Sequence, residues 1–262
     1  MPQMLRALRQ RLVPPGAVCA RTLGTPVPSA ATTLVDGRAI NFFFTRKCNY
    51  ACKFCFHTAK SSHVLSEADC KRVLRLFREA GAVKLNIAGG EPLLPQYHGL
   101  VGELLRYSKQ ELAYESTSII SNGSRLTSQW FEAHSRHLDI MGVSVDSLGH
   151  VRRAAALCRE HGVLFKLNTV VTALNVHEDL SPLVNETGAM RWKIFQVLPM
   201  GGENTGAAAT RGHDVAPLLV TAAQFAEYVA RARAGVSDPS IIEEEDNATM
   251  QARPRRLHSM TE

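Results

Sequence analysis

No run of apolar residues in this chain approaches the roughly 20 that a helix needs to cross a bilayer, which excludes a membrane-spanning helix and leaves a soluble or peripheral protein. Acidic residues are absent before Asp36, although Arg6, Arg9, Arg11 and Arg21 are present. Cysteines are few, six in 262 residues, and a disulfide framework would spread them more evenly. Cys48, Cys52 and Cys55 fall within eight positions, whereas Cys19, Cys70 and Cys158 are scattered. Clustered thiols in a large domain imply a reducing compartment and a metal; an endoplasmic reticulum or lipid-droplet surface, the mitochondrion and the cytosol all stay open. Extreme charge is missing as well. The net +6 and pI near 9.1 suit an anionic ligand or surface, but the excess is too modest to argue for nucleic acid, and no nucleic-acid partner is expected.

Residues 1–38 stand apart as a basic amphipathic segment and linker. Met4, Leu5, Leu8 and Leu12 can share one helical face, and a stretch rich in Pro, Ser, Thr and Ala runs on to Thr33. That composition suits a targeting or membrane-surface helix followed by a linker, and equally a frayed terminus with no role. From residue 39 short β-rich runs alternate with helix-length amphipathic segments. Strands are predicted at Ala39 to Thr45, Val83 to Ala88, Ser116 to Ser121, Asp139 to Ser144, Val163 to Val171 and Met190 to Leu198. Helices are predicted at about Ser66 to Ala80, where Ser66 and Asp69 can form a capping arrangement, and near Gln96 to Lys109, Ser128 to Arg136, His150 to His161, Glu178 to Asn185 and Thr221 to Ala234. Six such units predict an α/β fold, a partial (β/α)6 barrel over 39–236, with the active site at the carboxyl ends of its strands. Residues 237–262 form a C-terminal segment. Cys70 and Cys158 fall on amphipathic helical stretches and read as buried small hydrophobes.

The chemistry begins just after the first strand, at Cys48-Asn49-Tyr50-Ala51-Cys52-Lys53-Phe54-Cys55. Three thiolates can hold three irons of a cubane and leave the fourth iron open to a substrate, whereas structural zinc normally takes four ligands. The plainer alternative is a zinc site completed by His57 or His63. After the second strand stands Gly89-Gly90-Glu91-Pro92, where two glycines permit a close backbone approach and a carboxylate can accept from an amine. Taken alone this would be an ordinary turn, but it lies one β/α unit after the cysteine loop.

The cysteine loop with Phe54 before its last thiol, and the GGEP turn on a six-unit β/α chain, resemble the radical S-adenosylmethionine superfamily. The resemblance implies a 4Fe-4S cluster on Cys48, Cys52 and Cys55, with S-adenosylmethionine chelating the open iron and cleaved to a 5′-deoxyadenosyl radical. It also implies that Phe54, Gly89, Gly90 and Glu91 meet that cofactor, with Ser144 on its ribose side and Ser121 and Asn122 nearby. The stretches NFFFTRKCNYACKFCFHTAK (41 to 60), KLNIAGGEP (84 to 92), IISNGS (119 to 124), LDIMGVSVDS (138 to 147), FKLNTVV (165 to 171) and RWKIFQ (191 to 196) are similar to the viperin family of antiviral enzymes. That narrower resemblance implies dehydration of a nucleoside triphosphate, typically CTP, to a 3′-deoxy-3′,4′-didehydro chain terminator, with an electron donor for the cluster. It assigns Asn41, Lys84, Lys166, Arg191, Lys193 and Asn247 to the nucleotide.

The strands support an anionic substrate independently. Lys84 with Asn86, Lys166 with Asn168, and Arg191 with Lys193 share strand faces by period two. Charges on central parallel strands call for a compensating anion, unless they sit at strand ends or pair with Asp and Glu. Two departures stand out. The family's longer loop after the fourth strand, with an arginine for the methionyl carboxylate, is missing where Leu148-Gly149 passes directly to His150. ARPRRLHSMTE also replaces an extended tail with a tyrosine near the nucleotide, so a shortened or altered member of the family is expected. Two other readings remain: a radical enzyme with another substrate, and a catalytically silent scaffold. Glu203-Asn204 and Asp146 are weaker candidates for ligand contact.

Overall fold

The computed structural model describes residues 39–252 apart from 58, 59, 62 and 206–213. The chain divides into two units, Met1–Thr33 and Leu34–Glu262. The amphipathic segment and its expected membrane contact lie outside the described residues, as does the ARPRRLHSMTE tail beyond Ala252.

β-Branched and aromatic runs make the strands, and they pair strictly in chain order: β1 (Ala39–Phe43), β2 (Lys84–Ala88), β3 (Ser116–Ser121), β4 (Ile140–Ser144), β5 (Leu164–Val171), β6 (Arg191–Gln196) and β7 (Ile242–Glu245). Every pairing is parallel. Right-handed crossovers in unbroken order place all the connecting helices on one side, so the other side becomes the concave lining of a partial barrel. The helices are α1 (Glu67–Glu79), α2 (His98–Gln110), α3 (Ser128–His134), α4 (Leu148–His161), α5 (Ser181–Thr187) and α6 (Ala222–Gly235), with α7 (Asn247–Ala252) after the last strand. Among the described residues no helix is long and apolar enough to cross a membrane.

The strand pleat sorts the side chains. Phe42, Leu85, Ile87, Ile119, Met141, Leu167, Trp192 and Ile194 point toward the helices and are buried. Each large apolar side chain taken fully out of water stabilises the fold by about 1.5–3 kcal/mol, so this helix-covered side holds the barrel together. Trp192 meets the polar requirement of burial by donating its indole N–H to Thr169 Oγ1 at 2.9 Å. Cys70 and Cys158 are buried in this layer as small hydrophobes. Ser66 caps α1 by accepting from the Asp69 N–H at 3.1 Å, as the spacing predicts.

The seventh strand is the main departure from the sequence prediction of six. It comes from the acid-rich run Glu243-Glu244-Glu245, and glutamate is depleted in strands. Tertiary pairing overrides that preference: Glu243 and Glu245 face cations on β6, while Glu244 turns outward to Arg233 at 3.2 Å.

Candidate active site

The cysteine loop leaves β1 and is gripped from several sides. Gly90 N–H donates to Thr45 O at 3.0 Å and Glu91 N–H to Lys47 O at 2.8 Å, fastening the GGEP turn under the loop's first residues. A side chain at Gly90 would collide with the Lys47 carbonyl, and one at Gly89, whose φ is +141°, would come within 2.7 Å of Thr45 O. Glycine is required there so that two segments of backbone can touch. These glycines bring the GGEP turn directly against the cysteine loop.

Glu91 is buried behind the turn and fully engaged with its neighbours. It is 1% exposed, and its carboxylate accepts from Leu93 N–H, Ser121 Oγ and Asn122 N–H at 2.9, 2.8 and 2.8 Å. Burial pushes its pKa up, and the three donors pull it back. Glu91 therefore braces the β2 turn against the β3 turn, and Ser121 and Asn122 belong to that brace. Asn122 continues it by donating to Asn49 Oδ1 at 3.0 Å, while Asn49 donates to Ser124 Oγ at 2.9 Å.

Two further struts were not anticipated. Arg46, just before the loop, pairs with Glu203 at 3.2 Å, and buried Asn204 donates to the Phe54 carbonyl at 3.3 Å. The Glu203-Asn204 segment, a weak candidate for substrate contact, ties the far rim to the cysteine loop. On the other side Tyr50 Oη lies 3.4 Å from His150 Nδ1 in the first turn of α4. Helix α4 begins at Leu148, so the short connection after β4 brings a helix start against the loop.

Cys48 is exposed, and Cys52 and Cys55 are half-buried. Burial raises all three thiol pKa values, Cys52 to about 12, and the neighbouring thiols and Asp146 add to the shift at Cys52. Thiols so placed resist ionisation until a cation joins them, which is what irons provide. Among the described residues no three His, Cys, Asp or Glu side chains converge on one metal position. Structural zinc takes four ligands on one ion, whereas a cubane takes one thiolate on each of three irons and leaves the fourth open. The donor set fits a cluster.

Below this mouth the concave face is polar. Asn86 Nδ2 donates to Asn41 Oδ1 at 2.8 Å and Ser118 Oγ to Asn86 Oδ1 at 2.8 Å, a ladder across β1, β2 and β3 in which Ser118 was not foreseen. Ser144 opposes Asn168, which is buried and whose Oδ1 has no hydrogen-bond partner among the described residues. Asn247 is held at the end of β6 by Gln196 Oε1 and Val197 O, and its own Oδ1 likewise has no partner there. Buried acceptors left open in this way fit a site that binds a polar ligand.

The cations divide. Lys166 is half-buried on the inner face, forms no ion pair among the described residues, and has its pKa lowered to about 8, by burial first and by Lys193 second. Lys193 and Arg191, expected to need a ligand anion, are paired with β7 glutamates. Lys84 is exposed at the first position of β2. In register it lies below the level of Asn86, Ser118, Ile140 and Leu164, while Lys166 lies above it. Among the described residues, Lys166 is thus the half-buried strand cation without an ion pair, whereas Arg191 and Lys193 are compensated by glutamates and Lys84 sits at a strand start, so these three need no ligand anion.

A pattern for the radical SAM superfamily matches residues 42–174. The chain is 39% identical over 211 residues to the S-adenosylmethionine-dependent nucleotide dehydratase RSAD2 of Danio rerio, covering 74% of this chain and 58% of the relative. It is 35% identical over 246 residues to RSAD2 of Siniperca chuatsi, covering 82% and 69%. It is 31% identical over 219 residues to the S-adenosylmethionine-dependent nucleotide dehydratase of Flammeovirga pacifica, covering 74% and 71%. The chain spans only 58% and 60% of the length of the RSAD2 proteins of Danio rerio and Oncorhynchus mykiss. Among solved structures, Streptococcus suis SuiB bound to S-adenosylmethionine shares the fold with a TM-score of 0.59 at 16% identity, covering 83% of this chain and 52% of SuiB. anSMEcpe with bound AdoMet and a peptide shares it at 0.57 and 16%, covering 74% and 58%. A 4Fe-4S cluster and S-adenosylmethionine are the cofactors that this membership brings. The chain belongs to the radical SAM superfamily and, within it, to the viperin family that the RSAD2 proteins represent.

Proposed function

We propose that the chain is a radical S-adenosylmethionine nucleotide dehydratase that converts a nucleoside triphosphate, CTP by preference, to its 3′-deoxy-3′,4′-didehydro analogue and water, serving antiviral defence. Cys48, Cys52 and Cys55 hold the cluster. When bound, cluster and S-adenosylmethionine supply a hydrogen-abstracting radical, with reducing equivalents from an electron donor protein. The chain's own residues hold and orient. Phe54, Gly89 and Gly90 shape the cofactor's pocket, Glu91, Ser121 and Asn122 keep its walls in register, and Ser144 faces the cofactor ribose. Asn41, Lys84, Lys166, Arg191, Lys193 and Asn247 receive the nucleotide and turn its sugar toward the cofactor. Contact of the N-terminal segment with a membrane surface belongs to the same reading.

The observation that carries the substrate is Lys166, a half-buried cation on the concave face with no ion-pair partner among the described residues and a lowered pKa. A phosphate group is the partner that such a cation lacks. Cluster-loaded protein should therefore gain thermal stability with CTP, by mass action, and cleave S-adenosylmethionine faster, because the occupied site presents the hydrogen to be taken. Cytidine should do neither. Absence of both effects with CTP, UTP, GTP and ATP would falsify the nucleotide reading. Slow, nucleotide-independent cleavage would then point to another radical enzyme. No cleavage at all would point to a silent scaffold, a reading that the missing arginine loop before α4 favours.

A further inference from the structure

The inner face of β6 and β7 holds an arrangement that nucleotide binding does not require. Lys193 Nζ lies 2.8 Å from Glu243 Oε1 and 2.7 Å from Glu245 Oε1, and Arg191 Nη1 lies 3.2 Å from Glu243 Oε2. Parallel register sets Lys193 opposite Glu243, and the strand pleat puts both glutamates on the concave side with the cations. Three positive groups, Lys166, Arg191 and Lys193, thus stand beside two negative ones, Glu243 and Glu245. A polyphosphate entering this face meets Lys166 with no ion pair among the described residues, but Arg191 and Lys193 already held by carboxylates.

The two carboxylates are not equivalent. Glu245 is buried and bound to Lys193, whose side chain is only 14% exposed. Separating that pair would strand a buried charge, which is strongly unfavourable. Glu243 is 35% exposed and holds Arg191, itself 48% exposed, in the kind of pair that contributes little and opens readily. Lys166 and Arg191 are direct register partners on neighbouring strands, so a phosphate drawn to Lys166 arrives beside Arg191.

We infer that Glu243 is a resident competitor for phosphate, a specificity-determining residue that occupies Arg191 in the ligand-free protein and yields it to an incoming polyphosphate. Glu245 stays with Lys193 and keeps that lysine in place. This inference rests on the nucleoside triphosphate reading above and deepens it. The carboxylate raises the threshold for anions: a ligand must offer Arg191 more than one glutamate does, which an extended polyphosphate can and a carboxylate or single weak anion cannot.

The test is calorimetric titration of the cluster-loaded full chain with inorganic tripolyphosphate and, separately, with CTP, at two salt concentrations. The proteins compared are wild type, Glu243→Gln, Arg191→Gln and the double variant, each first checked for cluster absorbance and melting temperature. Glu243→Gln should bind both ligands about fivefold tighter, the scale of a half-exposed ion pair. Its affinity should also fall more steeply with salt, because one more cation is free to meet phosphate. In the Arg191→Gln background the gain should shrink, since Glu243 then holds only Lys193, which Glu245 also binds. Unchanged or weaker binding by Glu243→Gln, or a gain as large without Arg191 as with it, overturns the inference while CTP binding by wild type leaves the nucleotide reading standing. If no variant, wild type included, binds either ligand, both are lost.

Discussion

The mouth of the barrel and the concave wall beneath it are built by different means. At the mouth the cysteine loop is held mainly by backbone hydrogen bonds and neutral amides, from Gly90, Glu91, Asn122 and Asn204, with one ion pair from Arg46 to Glu203, and each partner sits in a loop that follows a strand. On the wall the decisive contacts are charges from strands far apart in sequence, Lys193 with Glu243 and Glu245, while Lys166 is left over. The mouth is a matter of exact backbone placement, and the wall a matter of which charges meet. Ligand-holding geometry is therefore sensitive to a single added carbon at the mouth, whereas affinity for an anion is graded by pairings on the wall.

The comparison can be broken most forcefully at the mouth. Cys52→Ala should remove the cluster, which in wild type should amount to about four irons per chain, and visible absorbance with iron analysis reads this directly. An intact chromophore in that variant would end the cluster assignment. Next in size is Gly90→Ala, whose new methyl would collide with the Lys47 carbonyl. Overpacking of this kind costs about 1–3 kcal/mol, so the melting temperature should fall and cluster content with it. Gly201→Ala, with nothing in reach of its added carbon, is the matched control and should behave as wild type.

Effects on the wall should be confined to the anion. Lys166→Ala should weaken CTP binding by roughly 2–5 kcal/mol, the range for removing one partner of a buried charge pair, with S-adenosylmethionine affinity nearly unchanged. A variant that lost both affinities together would blur the division between mouth and wall. The smallest effect is the most diagnostic in sign. The Lys166 pKa is lowered from 10.5 to about 8 on folding, so the unfolded chain holds this proton more tightly. Stability of the ligand-free protein should therefore rise as pH increases from about 8 toward 10.5, and be lost again as pH falls through 8. Bound phosphate favours the charged lysine, so CTP affinity should decline above pH 8 and binding near pH 8 should take up protons. Calorimetry in buffers of different ionisation heat measures that uptake, and Lys166→Met should abolish it.

Much of this division was readable in the amino-acid order. Hydrophobic periodicity located six of the strands and the helices between them, because both the pleat and the helical turn write a fixed repeat into sequence. C-x3-C-x2-C spacing and the GGEP turn announced the mouth, since ligands to one cluster and glycines at one tight crossing must lie a few residues apart on the same loops. The bracing contacts of Glu91 were not readable: nothing local reveals that its carboxylate is buried against Ser121 and Asn122, which lie some 30 positions away.

The seventh strand and the charge balance of the wall lay beyond any local rule. An acidic run such as Glu243 to Glu245 has little strand preference of its own, and it becomes a strand here because Arg191 and Lys193 stand where β7 docks. Chain order thus established the fold class, the cysteine loop and the positions of the cations. Which cation stays unpaired was settled only when β6 and β7 came side by side, because a charge's free energy depends on its neighbours in space and not on its place along the chain.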